Sequence, residues 1–153
     1  MSYSSSVPAA VTALVAAFKA SVALAGVLVL DGPGLTAAGG VEGIAVGWAG
    51  DPNSPAVTGT ASPEGLGTGG DREQYAVTCT AIVVDPGGDV AAARTRAYQL
   101  HAACGAAIAA DHTLAGAVLR ASLGIGSLTQ QQTTAGALAR VSFPVNCEAF
   151  TTR

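Results

Sequence analysis

The sequence predicts an α+β fold, a mostly antiparallel sheet with two helices packed on one face, and three observations predict it. Two stretches, near 7–25 and 89–110, repeat apolar residues with a helical period. Five others are β-branched or alternate with a period of two. The last two of these are joined by a short polar run, as antiparallel neighbours are, so two layers are the economical assembly.

The first helix opens with Ser6 as N-cap and Pro8 in the first turn. Val11, Leu14, Val15, Phe18 and Val22 make one apolar stripe, and Gly26 ends the element. Val27 to Leu30 reads as a short strand stopped by the turn Asp31-Gly32-Pro33-Gly34, and a glycine-containing piece with Gly39-Gly40 follows. Ile44, Val46 and Trp48 alternate with small residues as a second strand that ends at Trp48. Residues 49–71 hold three prolines and six glycines, and read as the longest irregular stretch of a single domain spanning 1–153. It reads as a single insertion or as a short hairpin around Val57 to Thr60.

Arg72 to Asp85 is the longest predicted strand, with Tyr75, Val77, Cys79, Ala81 and Val83 on one face. After Pro86-Gly87-Gly88, Asp89 caps the second helix, whose buried stripe is Ala93, Ala97, Leu100, Cys104 and Ile108. Asp111 to Gly116 connects to a strand over 117–127 with Leu119, Ala121, Leu123 and Ile125 on one side. Thr129 to Thr134 reads as a hairpin loop, and 137–150 as the closing strand with Val141, Phe143, Val145 and Cys147 inward. Pro144 cannot donate to a ladder, so it is expected at an edge or a bulge.

The chain has 153 residues, one domain's worth, and is 50% hydrophobic but only 11% charged, which excludes an intrinsically disordered chain. A net charge of −3 argues against a nucleic-acid binder working through a basic face. So few charges imply a surface of Gly, Ala, Ser and Thr, weakly solvated and suited to packing against copies or partners. Three well-separated cysteines are an odd number, which fits free buried thiols in a reducing compartment better than a disulfide framework. Ala23-Leu24-Ala25 is like a signal-peptidase site, but no positive side chain stands within Met1–Ser6 and Lys19 falls in mid-segment, so neither export nor a membrane span is expected.

No catalytic constellation stands out. His101 and Cys104 are three apart on an alanine-rich helix without a glycine-rich elbow, and Cys104 continues the apolar stripe. The two histidines and three cysteines lack any short metal-binding clip, so no metal or cofactor is expected. Gly65-Leu66-Gly67-Thr68-Gly69-Gly70 lacks the Lys-Ser/Thr of a phosphate loop, and the carboxylates sit mostly beside turns. Arg94 and Arg96 near the start of the second helix are candidates to reach carboxylates of a neighbouring subunit. Trp48 is a candidate anchor, and Arg72, Tyr98, Arg140 and Glu148 complete the candidate subunit or partner interface.

The layout resembles the tail terminator (tail-completion) proteins of long-tailed bacteriophages, those infecting actinobacteria in particular. The resemblance rests on "VPAAVTALVAAFKASV", "VLVLDGPG", "IAVGWAGDP", "REQYAVTCTAIVVDPGGDVAAARTRAYQLHAAC", "DHTLAG" and "ARVSFPVNCEAFT" in that order, nearly the whole chain. It implies a homohexameric ring at the head-proximal end of the virion tail, assembled in the host cytoplasm. Such a ring stops tail-tube polymerisation and then docks to the neck, with DNA passing through its lumen unread. Its implied partners are further copies of itself, the tail tube protein and a neck or head-completion protein. The family has no active site, so no catalytic residue is carried over. Pro144 departs from regular pairing in the closing strand. Two alternatives are another connector, neck or tail-tube protein, and a small enzyme built around Cys104.

Overall fold

Residues 4–34, 42–63 and 70–151 are described by a computed structural model. In chain order they form helix α1 (Val7–Ala20), a 3-10 turn (Val22–Leu24), strands β1 (Leu28–Asp31), β2 (Glu42–Val46), β3 (Val57–Ser62) and β4 (Arg72–Asp85), helix α2 (Val90–Ala110), and strands β5 (Arg120–Leu123), β6 (Ser127–Thr133) and β7 (Gly136–Phe150). Gly39-Gly40 and the glycine-rich run from Gly65 to Gly69 lie outside the described residues.

The sheet is built on the antiparallel pair β4–β7, in register from Arg72↔Phe150 to Asp85↔Ala137. Each long strand shares its outer edge between two short ones. Along β4 these are β2, opposite Cys79–Val83, and β3, opposite Arg72–Val77. Along β7 they are β5, opposite Val145–Glu148, and β6, opposite Gly136–Ser142. β1 joins β2 in the one parallel pairing among the described residues.

The residue pattern explains the two faces. On β4 the odd residues Tyr75, Val77, Cys79, Ala81 and Val83 are buried, and on β7 so are Val141, Phe143, Val145 and Cys147. Both helices pack on this face. α1 contributes Ala10, Leu14, Val15 and Phe18, and α2 the stripe Ala93, Ala97, Leu100, Cys104 and Ile108 that its sequence predicts. Burying a large side chain such as Phe18 or Phe143 stabilises the fold by about 1.5–3 kcal/mol each. The Asp89 carboxylate caps α2 by accepting from the Ala92 N–H at 3.1 Å.

Several expectations are corrected. α1 stops at Ala20, six residues short of Gly26, and Val22 is 90% exposed rather than part of the stripe. Ser6 makes no side-chain cap. Its N–H donates instead to Glu73 Oε1 at 2.8 Å, while the Ser5 hydroxyl donates to Glu73 Oε2 at 2.6 Å. A buried carboxylate from β4, 67 residues away, thus satisfies the start of the helix and complements its dipole. β2 ends at Val46, ahead of Trp48, and is buried on both faces instead of alternating.

Part of the irregular 49–71 stretch is strand: residues 57–62 pair along β4. The strand expected over 117–127 shrinks to Arg120–Leu123, leaving Leu119 half exposed and Ile125 88% exposed. The polar run 129–134 is mostly strand β6, and its turn is only Thr134-Ala135. Gly136 follows with a φ of +133°, and a Cβ there would fall on the Asp85 carbonyl oxygen. Glycine is therefore what lets this hairpin press against the β4–α2 turn.

Pro144 lies at neither an edge nor a bulge; it sits in central β7 opposite Thr78, and the β4–β7 register runs through it unbroken. Thr78 spends its backbone groups on Ala56 and Trp48, so this is the pair position that exchanges no ladder bonds with β4. The missing N–H of Pro144 therefore points to the gap between the end of β5 and the start of β6. There only its carbonyl is used, accepting from the Gly124 N–H at 2.8 Å.

A candidate assembly surface on the helix-free face of the sheet

The even-numbered residues of β4 and β7 point away from the helices. The upper half of this face is closed. Thr80 is buried and donates to the Trp48 carbonyl at 2.7 Å, Ser142 donates to the Ala49 carbonyl at 3.4 Å, and Ile82, Val84 and Leu138 form a small second apolar cluster. The Trp48–Gly50 segment thus lies over the sheet, with the Arg140 guanidinium so near Gly50 that an added side chain would meet it at 3.3 Å.

The lower half is open. Thr58, Gln74, Ala76, Arg120, Ser122, Asn146 and Glu148 line a shallow groove of about 510 Å³. Register explains why they meet, since β3 sets Thr58 beside Ala76 and β5 sets Arg120 beside Glu148 and Ser122 beside Asn146. Arg72 donates to Glu148 Oε2 at 3.3 Å, and Gln74 donates to Oε1 at 3.0 Å. Both charges of the Arg72–Glu148 pair are about a third exposed, so the pair fixes side-chain positions more than it stabilises the chain.

The remaining candidates sit on α2. Arg96 grips Glu42 through two bonds of 2.7 and 2.9 Å, so it has a carboxylate partner within its own chain. Arg94 is exposed and donates to the Gln130 side chain at 2.9 Å. Tyr98, 39% exposed, stands edge-on to His101 with ring centres 6.0 Å apart, and His101 in turn packs on Phe143 at 4.9 Å. The structure brings Arg72 and Glu148 together, places Arg140 with the Trp48 segment, and leaves Arg94, Arg96 and Tyr98 on the opposite, helical side. Arg120 and Gln74 belong to the groove but are not singled out by the sequence, because only register with β7 sets them beside Glu148, whereas Asn146 shares the outward face of β7 with Glu148 by simple alternation.

The thiols are all free and buried. Burial pushes Cys79 up to about 12 and Cys147 up to about 11, and pushes Cys104 up as well. No thiolate forms near neutral pH at these positions. His101 uses Nε2 on the Gly124 carbonyl at 3.0 Å rather than on Cys104. Among the described residues no group of three or more His, Cys, Asp or Glu side chains is placed to hold a metal ion. Among them, too, no helix is long and apolar enough to cross a membrane.

No family model matches this chain, and no curated protein does. Among solved structures the chain is similar to a chain described as "Virion of native gene transfer agent (GTA) particle". That likeness has 14% identity over 92% of this chain and 93% of that one, with a TM-score of 0.45, and at this level it assigns no role.

Proposed function

We propose that this chain is a structural subunit of a phage-like virion, and within it a tail terminator: a ring that ends tail-tube growth and joins the tail to the neck. The observation that carries the reading is the open, helix-free half-face of the sheet. It is a polar platform on two long strands, with Arg72, Arg120 and Glu148 along one end. A platform without a deep cavity or an ionised nucleophile suits a shaped block better than an enzyme. The sequence layout shared with tail terminators supports the finer role.

The mechanism is geometric. A tube grows while each new layer presents the same face as the last. A ring that matches the tube on one side and differs on the other ends the series. Trp48, Arg72, Arg94, Arg96, Tyr98, Arg140 and Glu148 are proposed as contacts to neighbouring copies, the tube or the neck protein. DNA crosses the lumen unread, in keeping with a net charge of −3.

The test is native mass spectrometry and negative-stain imaging of the purified chain, joined to deletion of its coding sequence from the parent virus. Closed rings, and overlong headless tails in the deletion, are expected. A chain that stays monomeric at high concentration and is absent from particles overturns the reading. Long tubes of the chain alone would make it a tube subunit instead.

A further inference from the structure

We propose that copies of this chain join edge to edge, β3 of one copy pairing antiparallel with β6 of the next, so that one sheet runs through the assembly. This rests on the self-assembly proposed above and names the surface that performs it.

Among the described residues each of these strands has a partner on one side alone, β4 for β3 and β7 for β6. Pairing spends alternate backbone groups. Thr78 turns its N–H to Ala56 on the β3 side, so Thr58, Thr60 and Ser62 bond to β4, while Val57, Gly59 and Ala61 direct their N–H and C=O groups off the sheet. Pro144 turns its carbonyl to the β5 side, so Ser127, Thr129, Gln131 and Thr133 bond to β7, and Leu128, Gln130 and Gln132 face outward. Five of six residues in β3 and five of seven in β6 are exposed.

Natural proteins protect such edges with charge or proline. The other two edge strands follow this practice, with Asp31 in β1 and Arg120 in β5. β3 (VTGTAS) and β6 (SLTQQQT) carry neither, though they are similar in length. Unprotected edges of this kind are templates for another strand.

Geometry selects a second copy as the occupant. β3 and β6 lie on opposite edges of one sheet. β3 runs antiparallel to β4, β4 to β7, and β7 to β6. β3 and β6 therefore run in opposite directions, and a neighbour in the same orientation meets β3 with an antiparallel β6. The contact is heterologous, the kind that closes rings. The two strands are also offset along the sheet: β3 pairs with Arg72–Val77 and β6 lies level with Thr80–Asp85. Such a stagger tilts strands about the ring axis, as closing a sheet requires.

The experiment uses Ala61→Pro and Gln130→Pro, each removing one outward N–H and no internal ladder bond. Gln130→Ala, which loses only the side-chain contact to Arg94, is the control. Each proline variant alone is expected as monomer while the control assembles. Mixed in equal amounts, the two proline variants give a species of twice the chain mass and no larger, because one intact β6 meets one intact β3. Rings from either proline variant overturn the edge pairing and leave the ring reading standing, whereas a monomeric wild type overturns the ring reading itself. Hydrogen exchange on unmodified rings decides independently of how the variants fold. Amides of Gly59, Ala61, Gln130 and Gln132 are expected to exchange at least tenfold slower in rings than in dissociated chains, and equal rates in both states overturn the proposal.

Discussion

Glu73 is the residue on which the start of the chain depends. Its buried carboxylate accepts from the Ser5 hydroxyl and the Ser6 N–H, and the Tyr75 hydroxyl beside it bonds Ser6 Oγ at 2.8 Å. Glu73→Ala is therefore expected to lower stability by about 1.5–3 kcal/mol, the usual range for hydrogen bonds to a charged group. Glu148→Ala, at a partly exposed pair, is expected to cost under about 1 kcal/mol. Urea unfolding of the two variants checks the contrast, and equal effects would contradict it. The buried thiols and Tyr75 make a second prediction. Burial raises Cys79 to about 12, Cys147 to about 11 and Tyr75 to about 12, so the folded chain keeps protons that an unfolded chain releases from about pH 9 upward. Their contribution is complete below pH 9 and is lost as pH climbs toward 12, by up to about 1.4 kcal/mol per pH unit for a fully buried thiol. Tm is expected to fall between pH 9 and 11, and a flat profile would oppose the assignment. A neutral thiol reagent at pH 8 should label none of the 3 cysteines in the native chain and all of them after unfolding.

At the scale of elements, Pro144 and Phe143 are neighbours in one strand with opposite expected sensitivities. Pro144 faces the gap between β5 and β6 and withholds nothing from β4, so Pro144→Ala is expected to change stability by under about 1 kcal/mol. Phe143 is 1% exposed among both helices' partners, so Phe143→Ala is expected to cost about 3–5 kcal/mol. Thermal unfolding of the pair checks this. The same two residues show where periodicity informs and where it fails. Alternation placed Phe143 inward correctly, but nothing local indicates which side of β7 lacks a partner at Pro144. The polar run 127–133 misled for a related reason. Its glutamines and threonines lie on an open edge, where no apolar alternation is required, and its strand state comes from the β7 ladder. Helix α2 is legible because cap, stripe and length agree, whereas after Ala20 the apolar rhythm continues without the helix: Val22 is exposed and Leu24 reaches the core from a 3-10 turn.

For the whole molecule, the proposed ring places the candidate contacts on two sides, with Arg72, Arg140 and Glu148 on the sheet and Arg94, Arg96 and Tyr98 on α2. Arg96 is held by Glu42, so the double variant Arg94→Ala/Arg96→Ala is expected to lose an internal ion pair as well as contacts to a neighbour. If these arginines join subunits, native mass shows smaller species, whereas the control Glu42→Ala, which loses only the internal pair, keeps the ring mass; an unchanged ring mass in the double variant removes them from the interface. Removing residues 53–68, which hold β3 and so the edge proposed to pair with a neighbour, is expected to abolish tails of normal length joined to heads. Normal particles from that deletion would contradict the proposed role of the segment.

By itself the sequence determined the class of fold, both helices, the two long strands and the inward phase of every cysteine, because each rests on a local period strong enough to bury one face. Tertiary structure decided the rest: the remote Glu73 cap, the register that brings Arg120 beside Glu148, and the conversion of two polar runs into edge strands. Those features depend on what lies across a ladder or a layer, and spacing along one chain carries no record of that neighbour.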